Sequence, residues 1–236
     1  MKTAGIVGGI GPESTIEYYR QIIAAYRQLQ KDGSYPSILI NSIDVKKMLD
    51  LLGRNELTAV TEYLLTAVQK LADAGADFAV LAANSPHLVF DELHGRSPIP
   101  LISIVETACQ AAKAMGLQHL GLFGTRFTMQ GRFYADVFAR EGIALSVPPP
   151  EEQYYIHDKY MRELISGLVL PETRERFLQI AKGLQKLHGI QGLILGGTEL
   201  PLILRHASYN GIPFLDTTKL HVERIVAQVL SSFVSK

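Results

Sequence analysis

Short runs of β-forming residues alternate with longer segments of helical periodicity along most of this 236-residue chain. The run AGIVGG, which starts at Ala4, precedes a segment over residues 12–29 whose apolar residues recur at helical spacing. Strands that alternate with crossover helices indicate parallel sheets. The pattern therefore predicts the α/β class. Further strands are predicted in SILINSI, FAVLAA, PLISIV, LGLFG, IALSV, GLILGG and PFLD, and further helices at 56–74, in ETACQAAKAM, at 131–141, twice within 151–188, and at 217–234.

Two sections of the chain repeat at a nearly constant spacing. GIVGGIGPES begins at Gly5 and GLFGTRFTM at Gly121, 116 residues later. FAVLAANSPH begins at Phe78 and GLILGGTELP at Gly192, 114 residues later. Each segment is a strand that ends in small and polar residues. This spacing predicts a duplicated α/β unit whose strand-end loops line a cleft between two halves, although any α/β protein can repeat such runs by chance.

Composition narrows the class of partner. Lys plus Arg and Asp plus Glu number 23 each, so bulk charge gives no reason to expect a nucleic acid or an anionic membrane. The first residues lack the apolar stretch of a signal peptide, and no window approaches the roughly 18 apolar residues of a membrane span. We expect a soluble cytoplasmic protein that binds a small molecule. Cys109 is the only cysteine, which excludes an intrachain disulfide and a CxxC zinc site, and we predict no metal.

Short hydrogen-bonding side chains follow several predicted strands. Asn84 and Ser85 follow one strand, Thr198 follows another, and Thr125 and Thr128 lie in a third strand-end loop. Such side chains can bind a carboxylate or an amino group of a ligand, and ligands of α/β proteins bind at the carboxyl ends of strands. Each residue alone is also a common turn residue.

The loop GGIGPES does not match the dinucleotide-binding fingerprint, because it lacks the GxGxxG spacing. Asp44 is the nearest candidate for the ribose contact of such a site, and it is a weak one. We instead predict that Gly9 and Ser14, or Thr15, bind an anion at the N-terminus of the following helix. Simple helix capping is the alternative for the two hydroxyl residues.

Two titratable residues close to strand ends, His87 and Glu199, are candidates for proton transfer. His87 has a side chain whose ordinary pKa suits acid–base work near neutrality, although a structural role is the more common one for such a histidine. Glu199 can bind an ammonium group or cap the following helix. Cys109 lies in a helical, alanine-rich stretch, which favours a buried, unreactive thiol.

The chain resembles the aspartate/glutamate racemase family over nearly its full length. The segments that carry the resemblance are GIVGGIGPEST, IPLISIVETACQAAKAMGLQHLGLFGTRFTM, EEQ at 151–153, GLILGGTELPLIL and FLDTTKLH. The resemblance implies a cofactor-independent enzyme, often a homodimer, with two similar α/β domains around a central cleft. It implies a first domain of residues 1–102 plus 210–236 and a second of residues 103–209.

The resemblance also implies a mechanism with two cysteines, one for each face of the substrate α-carbon. The matching positions in this chain are Ala83 and Gly197, and neither side chain can exchange a proton. Our first hypothesis is an amino-acid racemase or isomerase in which other groups transfer protons; the candidates are Ser85, His87, Thr198 and Glu199, with Asp44 as a further possible base. The alternative is an inactive homologue that binds an amino acid or a carboxylate.

The resemblance implies that an enzyme for acidic amino acids uses a cation to bind the distal carboxylate. The segment SIDVKKMLD supplies Lys46 and Lys47, and GTRFT supplies Arg126. We include Lys47 in the predicted substrate-binding set. A solvated charge pair is the alternative for at least one of the two lysines, and an interdomain tie is the alternative for Arg126.

Overall fold

A computed structural model of the protein describes residues 1–231 and divides the chain into two compact units. The first unit comprises Met1–Ile104 with His221–Lys236, and the second comprises Val105–Leu220. Each unit contains a mainly parallel sheet flanked by helices. The predicted α/β class is therefore confirmed.

The sheet of the first unit has four parallel strands in the order β2-β1-β3-β4. Its strands are β1 (Ala4–Gly8), β2 (Ile38–Ser42), β3 (Phe78–Leu81) and β4 (Leu101–Ile102). Its helices are α1 (Pro12–Leu29), α2 (Val45–Gly53), α3 (Leu57–Asp73) and α4 (Phe90–Arg96), together with most of α11 (Thr217–Leu230).

Helices cover both faces of this sheet, which explains why its central strands read as unbroken apolar runs. All five residues of β1 are buried. Ala4 and Ile6 belong to a core cluster that α1 and α11 complete. A side chain at Gly5 would meet Leu71 of α3, so the alternate residues of β1 point toward the opposite face.

The sheet of the second unit has five strands in the order β6-β5-β7-β9-β8, and all pairings are parallel except β8 with β9. Its core cluster is built largely by β5, β7, α8 and α9. The strands are β5 (His119–Gly124), β6 (Ala144–Ser146), β7 (Gly192–Gly196), β8 (Ser208–Tyr209) and β9 (Ile212–Asp216). The helices are α5 (Ile104–Ala114), α6 (Arg126–Gln130), α7 (Arg132–Arg140), α8 (Pro150–Arg162), α9 (Pro171–His188) and α10 (Leu200–Ile203).

The long predicted elements agree with the structure, and the differences are confined to short segments. Helix α1 has the predicted bounds, whereas the short helices α2, α4, α6 and α10 were not predicted. Residues 210–220 lie in the second unit and not in the first, because β9 pairs with β7. The predicted end of the last helix, at position 234, lies outside the described residues.

None of the helices within residues 1–231 is both long enough and apolar enough to cross a membrane.

Two buried histidines lie in the first unit. The Nε2 atom of His221 lies 3.1 Å from the carbonyl oxygen of Ile102, and its Nδ1 atom lies 2.9 Å from the hydroxyl of Tyr18. Because a carbonyl can only accept, Nε2 carries the proton, Nδ1 accepts from Tyr18, and the ring is neutral. Burial lowers the pKa of His221 to about 4. Burial and the neighbouring His221 lower the pKa of His87 to about 3.

These depressed pKa values predict that the protein loses stability as the pH falls from 7 to 5. The unfolded imidazoles titrate near 6.5 and bind protons in this range, whereas the two buried rings stay neutral until the pH nears 4. The free energy of unfolding should fall by up to about 1.4 kcal/mol per pH unit for each histidine below about pH 6. Denaturant unfolding of the wild type and of His221→Gln across this range measures the slope, which the substitution should flatten.

The exposed His206 provides the control, because His206→Gln should leave that slope unchanged. Equal slopes for the wild type and His221→Gln would contradict the assignment.

Candidate active site

The loop after β1 is a tightly packed turn that ends in helix α1. Gly9 has a φ of +76°, and a Cβ there would overlap the carbonyl oxygen of Ile43. The Gly9 amide donates to the Thr15 hydroxyl over 2.8 Å, and that hydroxyl lies 3.2 Å from the Gly11 carbonyl oxygen. Thr15 thus holds the loop together, while Ser14 is buried in the first turn of α1. The N-cap of α1 is Gly11 and not Ser14, and no side chain caps this helix.

The loop after β3 contains the Ala83, Asn84 and Ser85 positions. Ala83 and Asn84 are buried, and Ser85 is half-buried at the start of a short 3₁₀ helix, Ser85–Val89. The Val7 carbonyl accepts from the Ala82 amide, so this loop leaves the same sheet edge as the β1 loop. The structure therefore brings Asn84 and Gly9 to one edge of the first sheet, as the parallel pairing requires.

The environment of His87 argues against the base role predicted for it. The ring is buried and stacks on Phe90 with centroids 4.7 Å apart. Burial is the main cause of its pKa of about 3, a value at which imidazole is a weak base at neutral pH. The unperturbed pKa assumed from the sequence does not apply, because the surroundings of His87 exclude water.

The two lysines at the start of α2 differ in their surroundings. The Lys46 ammonium lies 2.6 Å from a carboxylate oxygen of Asp50. Lys46 is thus in a solvated charge pair, the alternative to substrate binding given above for one of the two lysines. The ammonium of Lys47 lies 4.5 Å from the ring centroid of Tyr63. Asp44 is the N-cap of α2, and its carboxylate accepts a hydrogen bond from the Lys46 amide. This capping contact explains the residue without the ribose contact or the base role considered for it from the sequence.

In the second unit, the loop after β5 is closed by two threonines. Thr125 caps α6 by accepting from the Thr128 amide, and their hydroxyl oxygens are 3.4 Å apart. Thr128 is fully buried and packs over Gly124 and Gly196, which pair in the sheet. The loops after β5 and β7 are therefore adjacent, because the two strands are neighbours in the sheet.

The loop after β7 carries a buried carboxylate in a small hydrogen-bonded cluster. Glu199 is 5% exposed, and its Oε2 atom accepts from the Thr198 hydroxyl over 2.7 Å. The same oxygen accepts from the hydroxyl of Tyr160, a buried residue of α8. Burial raises the pKa of Tyr160 well above its ordinary value, and the Glu199 charge adds to this. Burial of a carboxylate is costly, so a buried one with two donors marks a candidate site.

Tyr160 is not among the site residues predicted from the sequence. The available signal was the spacing of Gln153, Ile156 and Tyr160, which are the buried residues of α8. Position 197 explains why Tyr160 reaches Glu199. A Cβ on Gly197 would lie 2.5 Å from Cε2 of Tyr160 and 3.0 Å from its hydroxyl oxygen, so only glycine admits the ring in this position.

Two further features of the second unit bear on the predicted chemistry. Arg126 lines an open pocket of about 570 Å³ together with His157, Asp158 and Arg162. Cys109 is buried in α5, and burial raises the pKa of its thiol to about 11, so the expected unreactive role is supported. Within residues 1–231, no group of three or more His, Cys, Asp or Glu side chains is arranged to hold a metal ion.

The model of the Asp/Glu/hydantoin racemase family matches residues 7–225 of this chain. The chain belongs to this family. It is 23% identical to the broad specificity amino-acid racemase RacX of Bacillus subtilis, over 96% of this chain and 98% of that protein. The crystal structure of an aspartate racemase homologue from Pyrococcus horikoshii is 29% identical and superposes with a TM-score of 0.83, covering 98% of this chain and 100% of that one.

More distant Asp/Glu racemases share the fold. Glutamate racemase of Francisella tularensis, solved in complex with D-glutamate, is 15% identical with a TM-score of 0.66, covering 100% of this chain and 84% of that one. Family membership thus accounts for two parallel-dominated sheets. The side chains at the strand ends of this racemase-family chain determine what it can do.

The Gly197 geometry predicts that Gly197→Ala destabilises this racemase-family chain. The new methyl group must displace the Tyr160 ring, which is buried and hydrogen-bonded to Glu199, so we expect a loss of about 1–3 kcal/mol. Thermal or denaturant unfolding measures the change.

Gly183→Ala is the matched control, because Gly183 lies within α9 with no atom within 4 Å of its added methyl group. That substitution should stabilise the protein by about 0.5–1 kcal/mol. A neutral result for Gly197→Ala would show that the ring does not occupy this position.

Proposed function

We propose that this chain is a cofactor-independent amino-acid racemase or isomerase that moves the α-proton of a small amino acid with oxygen groups in place of thiols. The observation that carries the proposal is the buried Glu199 carboxylate with its two hydroxyl donors at the end of β7. Family membership supports the reaction class. The absence of a cysteine at positions 83 and 197 supports the use of other groups.

The other candidate bases are less suitable than Glu199. Free hydroxyls such as those of Ser85 and Thr198 are poor bases without an activating partner. His87 is buried with a pKa of about 3, and the Cys109 thiol has a pKa of about 11. A carboxylate oxygen can accept a proton as a general base, and Glu199 places one at the end of β7. Glu199 is therefore our proposed base, and Thr198 is the residue that orients it.

The remaining strand-end residues are proposed to bind the ligand. In the first unit, the residues proposed to bind the amino and carboxylate groups of the substrate are Ser14, Asn84 and Ser85. Gly9 is proposed to let the main chain approach the substrate closely. In the second unit, the loop after β5 contains Thr125 and Thr128, and we propose that these two residues also bind the substrate. The homodimer, the interdomain cleft and the cytoplasmic location stay predictions.

Exchange of the α-proton tests the proposed function. The protein is incubated with L- and D-aspartate and with L- and D-glutamate in D₂O, and NMR follows the loss of the α-proton signal. Exchange should fall by about 10²–10⁴ in Glu199→Gln, the range that general-base groups contribute. Glu175→Gln, which changes an exposed glutamate of α9, should keep the wild-type rate.

Chiral chromatography of the same samples separates the possible outcomes. Exchange with inversion identifies a racemase, and exchange with retention identifies one-sided chemistry with a single base. Calorimetric binding without any exchange would contradict the proposal and favour the inactive binding homologue.

The proposed preference for acidic amino acids rests on Lys47. If its ammonium binds the distal carboxylate, Lys47→Gln should weaken binding of aspartate and glutamate by about 10- to 150-fold, since a charge-assisted hydrogen bond contributes about 1.5–3 kcal/mol. Alanine binding should not change, because alanine lacks that carboxylate. Calorimetry measures both ligands.

Lys46→Gln is the control for this prediction, because the Lys46 ammonium is already paired with Asp50. Equal losses for aspartate and alanine in Lys47→Gln would contradict a role for Lys47 in selecting the substrate, and Arg126 would then be the next candidate cation.

A further inference from the structure

We propose that Tyr160 is the proton carrier of the second unit and that it works as a relay with Glu199. The phenol oxygen would exchange a proton with the substrate α-carbon, while the phenol proton passes to and from the Glu199 carboxylate. This inference rests on the proposed function and adds a second residue to it.

The position of the Tyr160 hydroxyl is the first observation. The side chain of a residue at position 197 would begin within 3.0 Å of this oxygen, so the phenol lies at the place where such a side chain would leave the end of β7. Gly197 provides the space for the ring. The oxygen therefore stands at the carboxyl end of a central parallel strand, where α/β proteins bind their ligands.

The hydrogen bonds around this oxygen are the second observation. Tyr160 donates to Oε2 of Glu199, and Thr198 donates to the same oxygen. Thr198 is half-buried, so the cluster extends from the core toward solvent. A tyrosine needed only for packing could donate to a neutral carbonyl. Here the acceptor is a buried charged group, which costs free energy and is a common feature of sites that move protons.

The relay balances without any further reactant. The Cα–H bond of the substrate breaks, and its electron pair stays on the carbon and delocalises into the substrate carboxyl group. The proton forms a new O–H bond on Tyr160 as the original phenol proton forms an O–H bond on Glu199. The negative charge thus moves from Glu199 to the substrate, and the reverse transfer returns a proton to the carbon.

The raised pKa of Tyr160 is compatible with a relay and argues against a phenolate that persists at neutral pH. Burial and the adjacent carboxylate raise the pKa of Tyr160 well above its ordinary value, so the phenol stays protonated at neutral pH. A neutral phenol can still take one proton as it releases another, which requires no free phenolate.

Tyr160→Phe tests the relay because it keeps the ring over Gly197 and removes only the hydroxyl. We expect α-proton exchange in D₂O to fall at least 100-fold while the melting temperature shows that the protein is folded. Tyr155→Phe, on the same helix, is the control and should exchange at the wild-type rate.

The double variant Tyr160→Phe/Glu199→Gln gives a readout that a structural role would not produce. Two residues of one relay act as a unit, so the double variant should be no slower than the slower single variant. Independent roles would instead multiply the two losses, and that result would overturn the relay.

The outcomes separate this inference from the proposed function. A wild type that exchanges while Tyr160→Phe stays within twofold of it overturns the role of Tyr160 alone. A wild type that exchanges no α-proton overturns the proposed function, and the relay with it. If Tyr160→Phe does not fold, the wild type is measured in H₂O–D₂O mixtures instead. Its exchange rate should depend on two protons in transfer, and a dependence on one proton overturns the relay.

Discussion

Parallel strand pairing is the constraint on which the rest of this structure depends. Each parallel connection needs a crossover, and helices supply most of the crossovers in both units. These helices cover the sheets, so central strands such as β1 and β7 are buried along their whole length. Polar and titratable side chains therefore gather where the central strands end, because these strands have no face in contact with water.

Burial lowers the pKa of imidazoles in this chain and raises the pKa of the Tyr160 hydroxyl and the Cys109 thiol. In the first unit it lowers the pKa of His87 and of His221, so both imidazoles are neutral and weakly basic at neutral pH. In the second unit Glu199 is also buried but has the hydroxyls of Thr198 and Tyr160 as donors. The end of β7 thus holds a buried carboxyl group with two hydroxyl donors.

Membership in the Asp/Glu/hydantoin racemase family explains the fold and leaves the chemistry to particular positions. A glutamate racemase at 15% identity still shares the fold with a TM-score of 0.66. Gly197 and Tyr160 show how one position can determine which residue reaches a strand end. Because Gly197 has no side chain, an aromatic ring from another element fills that space.

The alternation of strands and helices, the strand-end positions of Asn84 and Thr198, and the lack of a second cysteine could all be read from the sequence, because they depend on local order and composition. The tertiary structure alone decided the protonation of His87, since its pKa depends on the atoms that enclose it. It also decided that Tyr160 reaches Glu199. These two residues are 39 positions apart, and no local pattern indicates that a helix will pack its aromatic ring against a glycine at the end of a strand.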